Sequence, residues 1–382
     1  MVTRTLVISE SITQILLRQS PRNCGADAFF GLLRNLPKQG NLRGMKFSLT
    51  RKKIAIDLGT ANTVVWVSGV GIVSNEPSVV AISVEDGKVL AVGNAAKKML
   101  GRTPESLQAT RPMRDGVIAD YEITEAMLRY FIGKAMGKSY FMGPDVMVCV
   151  PAGCTQVERR AALDATLSAG ARHAYLIDEP LAAAIGAGMA VSAPSGQMIL
   201  DMGGGASEAA VISLGGVVVS KSVRIAGNKI DEAIQNHLKK ALGIVVGDTT
   251  AEEIKIKVGS ALKLVKEEVM EVSGRDMVLG LPKTVKISSE DVTEAIKQPL
   301  SQIVNTVKGV LEDTPPELAA DIINKGIIMS GGTALLRNFD RLVTKETGVP
   351  AHVADDPMLC VVRGTGLVME NIDLWKRSVT GK

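Results

Sequence analysis

Aromatic side chains are scarce: Phe, Tyr and Trp make up 3% of the 382 residues, against a hydrophobic share of 46%. The chain is long enough for more than one folding unit, and its core has to be mostly aliphatic. Histidine is scarcer still, and His173, His237 and His352 are too scattered to suggest a site. Cys24, Cys149, Cys154 and Cys360 have no metal-ligand spacing and are too few for a disulfide framework in a chain of this length. That pattern fits inert thiols in a reducing compartment. No apolar run approaches the ~18 residues that a membrane-spanning helix requires. Acidic residues are sparse in one place only. Residues 1–53 carry ten Lys/Arg against Glu10 and Asp27, a net of +8, which leaves 34 basic and 38 acidic residues, a net of −4, in the remainder. A mildly acidic body argues against a general nucleic-acid-binding protein, whereas a short basic arm suits an anionic membrane surface.

Residues 1–44 read differently from the rest of the chain. Ile8, Ile12, Ile15 and Leu16 form a helical stripe that Pro21 stops, and a second apolar patch, AFFGLLRNL (28–36), ends at Pro37. An acid-poor, Arg-containing amphipathic segment also resembles an organelle transit peptide, and Met45 offers an alternative start. We expect residues 1–50 to be a basic extension, disordered or dispensable, with a membrane-binding arm as the alternative.

From Ile54 onwards one plan occurs twice. IAIDLGTANTVVWVS (54–68) and MILDMGGGASEAAVIS (198–213) each give an apolar strand, Asp-x-Gly, a small-residue turn and a second apolar strand. Two such hairpins far apart in sequence suggest a duplicated domain closing on one ligand. Successive small residues let backbone N–H groups converge on phosphate oxygens. Asp57 and Asp201, one at each turn, are placed to hold a hydrated Mg²⁺ from two sides. Two ordinary tight hairpins are the alternative. Competing phosphate motifs fail: GKAMGKS (133–139) is one residue short of a P-loop and ends a helix instead of opening one. No G-x-G-x-x-G follows a strand, which argues against a dinucleotide fold.

Strands at PSVVAI (77–82), DVMVCV (145–150) and AYLI (174–177) alternate with helices at 123–137, 155–170, 228–242 and 251–269. Asp178, Glu179 and Pro180 open a small-residue helix, where acids ordinarily complement the helix dipole. Glu252 and Lys255 are one helical turn apart, which fits either an i, i+3 ion pair or two groups aimed at a ribose. GIIMSGGTALLRN (326–338) reads as strand, glycine turn and helix, with a turn that lets backbone approach a flat base. Strands alternating with helices, twice over, give an α/β protein of two related halves.

These segments resemble an MreB-type bacterial actin, of the rod-shape-determining MreB/Mbl family in the actin/Hsp70/sugar-kinase superfamily. The resemblance runs from about Ile54 to about Asp373. It is carried by DLGTANT, GIVSNEPSVVAI, RPMRDGVIADY, VCVPAGCTQVERRA, DEPLAAAIGAG, TAEEIKIKVGSA, TPPELAADII and SGGTALLRN in the family's order. It implies an actin-like ATPase fold, two related domains of the ribonuclease-H-like type flanking a nucleotide cleft. Domain I would span 51–184 plus 360–382, with a small insert at about 77–114. Domain II would span 185–359, with a helical insert at about 226–295. ATP (or GTP) and Mg²⁺ would sit between them. Asp57, Gly59, Thr60, Ala61 and Asn62 match the first phosphate loop, and Asp201, Gly203, Gly204 and Gly205 the second. Glu252 and Lys255 match the ribose contacts, Gly331 and Gly332 the adenine turn, and Glu179 the glutamate that orders the attacking water.

The resemblance further implies antiparallel double protofilaments on the inner face of the cytoplasmic membrane. Their role would be to organise cell-wall synthesis with partners of the MreC, MreD and RodZ type. Slow ATP hydrolysis would accompany assembly. The family's hydrophobic membrane loop corresponds here to SYFMG (139–143), where Tyr140, Phe141 and Met142 are unusual for a solvent loop. Three positions depart from the family pattern. Ala206 stands where a water-positioning Thr is usual and is followed by Ser207, the remaining hydroxyl candidate; Thr333 replaces the third adenine-turn glycine; and Asn228 replaces an Asp. A filament scaffold that binds ATP but barely cleaves it is therefore one alternative. A chaperone or sugar-kinase ATPase of the same fold is the other, though no substrate domain follows the body and no sugar-facing carboxylate announces itself.

Overall fold

Two sheets of matching build organise residues 51–137 and 143–382, the stretches that this computed structural model describes. In the first, a hairpin of β1 (Lys53–Leu58) and β2 (Asn62–Val67) continues antiparallel into β3 (Gly71–Pro77). β9 (Asp145–Val150) and β10 (His173–Asp178) add in parallel on the other side of β1, and β19 (Val379–Gly381) closes the far edge. The order is β19-β10-β9-β1-β2-β3. The second sheet repeats the scheme. β11 (Gln197–Met202), β12 (Ser207–Ser213) and β13 (Gly216–Val223) are antiparallel, and β17 (Ile327–Ser330) and β18 (Ala351–Val353) add in parallel. Its order is β13-β12-β11-β17-β18. The two hairpins expected from the repeated turn are thus β1–β2 and β11–β12.

Smaller sheets decorate each half of the chain. β4 (Val80–Ser83), β5 (Val89–Val92) and β6 (Leu107–Thr110) form one, and a short ribbon pairs β7 (Met113–Arg114) with β8 (Val117–Ile118). β14 (Ile244–Val245), β15 (Val269–Asp276) and β16 (Pro282–Ser288) form another. This last sheet adds strands to the region expected as a helical insert at about 226–295.

Helices fill the crossovers: α1 (Asn94–Lys97), α2 (Tyr121–Met136), α3 (Gln156–Ser168), α4 (Glu179–Gly186), α5 (Gly227–His237), α6 (Asp248–Val258), α7 (Ser289–Asp313), α8 (Pro316–Lys325), α9 (Phe339–Thr347) and α10 (Cys360–Glu370). Local chemistry sets several starts. Asp120 accepts the Ile123 N–H at 3.0 Å to cap α2, and Thr155 with Glu158 makes a reciprocal capping box on α3. The helix expected over 251–269 is shorter. α6 ends at Val258 because Gly259 is extended, and Arg337 gathers the next stretch by taking the Gly259 carbonyl at 3.1 Å and both Glu268 oxygens at 2.9 Å.

Strand alternation decides what faces where. Ile54, Ile56, Val146 and Val148 point to α2 and α3, where Met127, Phe131 and Leu163 complete one core. The opposite face of the same strands, through Met147, Cys149 and Ile177, packs on α4 and α10. Ile199, Ala210 and Ile212 of the second sheet reach the same layer. Met198, Leu200 and Met202 point away from it into the core that holds α5, α6 and α7. α4 and α10 cross with no room between their backbones. A Cβ on Gly186 would overlap the Cys360 carbonyl oxygen and one on Gly364 the Ala182 carbonyl oxygen, so only glycine fits at either position. Tyr140, Phe141 and Met142 lie outside the described residues, as does the basic extension. Among the described residues no helix is long and apolar enough to cross a membrane.

Candidate functional site

Alternation also places the two aspartates. Asp57 follows Ile56 and Asp201 follows Leu200, so both carboxylates stand on the inner faces of their sheets, where the strands end in glycine turns. There they line a cavity of about 360 Å³, a size that suits a small-molecule ligand.

The two turns touch. A Cβ on Gly204 would come within 2.6 Å of the Ala61 Cβ, and one on Gly205 would overlap Thr60 Oγ1 and lie 2.8 Å from the Gly116 nitrogen. Side chains at either position would fill the space between the turns. Thr60 Oγ1 in turn accepts the Gly116 N–H at 2.9 Å, and Ser78 Oγ donates to the Gly59 carbonyl at 2.6 Å. On the second side, Ser330 Oγ donates to Asp201 Oδ1 at 2.7 Å and Thr333 Oγ1 donates to the Gly203 carbonyl at 2.8 Å. Thr333 therefore ties the Gly331–Gly332 turn to the Gly203–Gly205 turn.

The cavity brings together Asp57, Gly59, Thr60, Ala61, Asn62, Glu179, Asp201, Gly203, Gly204, Gly205, Ala206, Glu252, Lys255, Gly331 and Gly332. Ser207 is not among them. It is fully buried, and its Oγ donates to the Ile225 carbonyl at 2.6 Å. Ser207 pairs in register with Met202, so it shares the face of Met202 and turns away from the cavity. The expectation that its hydroxyl helps position water is corrected by that geometry. Ala206, by contrast, lines the cavity with a methyl group.

Asp57, Asp201 and Glu179 gather at one end of the cavity. Burial first, then the Asp201 charge, raises Asp57 to about 7, with the Cys149 thiol 3.5 Å away easing it slightly. Burial raises Asp201 to about 6. Glu179, the first residue of α4, is pushed well above the ordinary range by burial and then by Glu208, Asp57, Asp201 and Asp178. Such an array calls for positive charge. Among the described residues no three His, Cys, Asp or Glu side chains are grouped to hold a metal directly.

At the other end, Lys255 does not pair with Glu252. Its ammonium lies 2.9 Å from Asp231 Oδ1, donates to Asp231 Oδ2 at 3.0 Å and reaches the Gly227 carbonyl at 3.2 Å. Asp231 Oδ1 is nonetheless buried with no hydrogen bond, and burial raises the carboxyl to about 6. Exposed apolar side chains of Ile256, Leu335 and Met358 rim the cavity beside Gly331 and Gly332.

Two residues escaped the sequence reading. Asp231 lines the cavity, but its partner is 24 positions away, so no local signal marks it. Glu208 is fully buried and accepts the Ala152 N–H at 3.0 Å and the Gly153 N–H at 3.5 Å, while burial raises it to about 7. Its direction follows once the register is known: Glu208 lies opposite Asp201, hence on the inner face.

A family model described as MreB/Mbl protein matches residues 51–377. The chain belongs to the MreB/Mbl family. It is 51% identical over 322 residues to the cell shape-determining protein Mbl of Bacillus cereus, covering 84% of this chain and 97% of that one. It is also 51% identical over 326 residues to the cell shape-determining protein MreB of Escherichia coli K12, covering 84% and 94%. Among solved structures it resembles MreB 5 of Spiroplasma citri bound to AMPPNP, with a TM-score of 0.81 and 38% identity over 86% of this chain and 98% of that one. The fold is the actin-like ATPase fold, in agreement with the fold that the sequence resemblance implied.

Proposed function

We propose that this member of the MreB/Mbl family is a nucleotide-dependent bacterial actin homologue that determines cell shape by forming membrane-associated filaments. The observation that carries the nucleotide part is the contact between the two glycine turns, with Asp57 and Asp201 facing one cavity from two sheets. An ATP phosphate chain fits between the turns, where backbone N–H groups replace side chains. Asp231 Oδ1, ion-paired to Lys255 but without a hydrogen bond, fits a ribose hydroxyl, with Glu252 beside it. Ile256, Leu335 and Met358 fit a flat base laid against Gly331 and Gly332. The relative from Spiroplasma citri bound to AMPPNP supports the same ligand class.

The carboxyls of Asp57 and Asp201, both raised by burial, fit a cation held through water. Mg²⁺ there would neutralise phosphate charge. Glu179 orients water for attack on the terminal phosphate, and the closed turns exclude other water. The cavity divides domain I (51–184 plus 360–382) from domain II (185–359) in this reading, so ligand contacts both. Tyr140, Phe141 and Met142 supply membrane contact, and assembly is with further copies of the chain at the inner face of the cytoplasmic membrane.

Ala206 favours a second reading, a scaffold that binds ATP and barely cleaves it. Electron microscopy on an anionic lipid monolayer, with ATP or AMPPNP, tests the first part: filaments are expected with either nucleotide, and their absence without nucleotide. No polymer under any nucleotide condition would sink both readings. Phosphate release from the same samples separates them.

A further inference from the structure

One ion pair ties Glu252, which lines the cavity, to the region of the small sheet β4–β6. Lys97 Nζ lies 3.5 Å from Glu252 Oε2, with both side chains a little over one-third exposed. Lys97 is the last residue of α1, which packs beside the small sheet, and Glu252 belongs to α6. Among the described residues no other ion pair joins residues 77–114 to residues 226–295.

Both ends of this bridge are mounted on fixed supports. At the start of α1, Glu76 is buried and accepts the Asn94 N–H at 3.1 Å, and it is itself held by Lys134 and by Ser74 at 3.0 Å. Ala96 is fully buried against Val79 and Ala81, which leaves the next residue, Lys97, to face outward. On the far side, Lys255 anchors α6 to α5 through Asp231 and the Gly227 carbonyl. With Lys255 so occupied, the partner of Glu252 one turn earlier is Lys97, although the i, i+3 spacing invites a Glu252–Lys255 pair.

We propose that Lys97 and Glu252 form a latch across the mouth of the cleft that slows nucleotide passage in both directions. The proposal rests on the reading of this cavity as a nucleotide site. Separating the two lips of the mouth breaks the pair, so the pair raises the barrier to opening. A gate of this kind slows entry and exit alike and leaves the equilibrium nearly untouched. A direct contact from Lys97 to ligand would slow exit alone and tighten binding. A half-exposed pair is weak, so its effect is a small rate factor, and salt screens it.

The test uses the full chain with Mg²⁺ and radiolabelled ADP, so that hydrolysis does not enter. Capture and chase by rapid filtration give the entry and exit rates separately. Lys97→Ala is expected to speed both by about two- to fivefold with affinity preserved. Lys97→Glu goes further in the same direction, and Lys97→Arg restores the parent rates. Raising salt speeds the parent but not Lys97→Ala. Unchanged rates in Lys97→Ala and Lys97→Glu would overturn the latch while leaving the nucleotide reading intact. So would a rise in exit alone with a matching loss of affinity. Failure of the parent to retain ADP at all would overturn the nucleotide reading and the latch with it.

Discussion

Ala206 lines the cavity without a hydroxyl of its own, and the neighbouring Ser207 turns its hydroxyl to Ile225. Ala206→Thr is expected to raise phosphate release by as much as ~10²-fold, because one donor aimed at reacting water is worth about that much. ADP affinity should stay close to that of the parent by the chase measurement, since the proposed phosphate contacts come from backbone groups. Release at the parent rate would mean that the backbone and Glu179 already place water fully. Glu179→Gln is expected to lower phosphate release by ~10²-fold or more while ADP retention persists. Single-turnover release alongside ADP binding checks the separation. Residues whose placement at the cavity depends on the adjacent turn, such as Asp57, Gly204 and Gly205, were legible in the sequence. Asp231 was not, because packing between α5 and α6 assigns its partner. Ser207 and Glu208 fall between these cases. Their directions follow from a two-residue period, but only once the register of β12 on β11 is fixed by Asp201 and Met202.

Elements follow the same division. β9 over Asp145–Val150 stands where its apolar run put it, since a strand buried on both faces reads as continuous hydrophobicity. The end of α6 did not show, because Gly259 is extended for a tertiary reason, the Arg337 side chain that takes its carbonyl. The α4–α10 crossing was half visible: the alanine-rich face of α4 announced close packing, whereas Gly364 gave no sign of its own. Gly364→Ala would push a methyl into the Ala182 carbonyl oxygen and lie 2.9 Å from the Gly186 nitrogen. Overpacking of this kind costs ~1–3 kcal/mol. Urea denaturation should show that loss, with Gly186→Ala behaving alike because the approach is reciprocal. A Gly364→Ala chain as stable as the parent would mean that the helices slide apart cheaply.

For the whole molecule, the cavity is built from turns of both large sheets, so ligand should knit the body together. ADP with Mg²⁺ at ~100 times its dissociation constant is expected to stabilise the fold by about 2.7 kcal/mol, read as a rise in melting temperature. Gly204→Val, which drives a side chain into Ala61 between the turns, should abolish that rise. If Gly204→Val still responds to ADP, phosphate does not lie between the turns. The pairing of the two halves was the most legible feature at this scale, because DLGTANT and DMGGGASE carry the same turn chemistry. The small sheet of β14, β15 and β16 was the least, because its strands are interleaved with α6 and read as helix continuation.

The edge strand β19 has a consequence for the chain during its synthesis. Residues 379–381 pair with 175–177, and α10 covers the inner face of the first sheet, whereas all strands of the second sheet lie between 197 and 353. A ribosome adding ~5–20 residues per second therefore delivers every strand of the second sheet before it completes the first. The sheet begun earliest is finished last. A message truncated ahead of residue 379 would release a product whose Tyr175, Leu176 and Ile177 backbone is an open edge, and open edges recruit other strands.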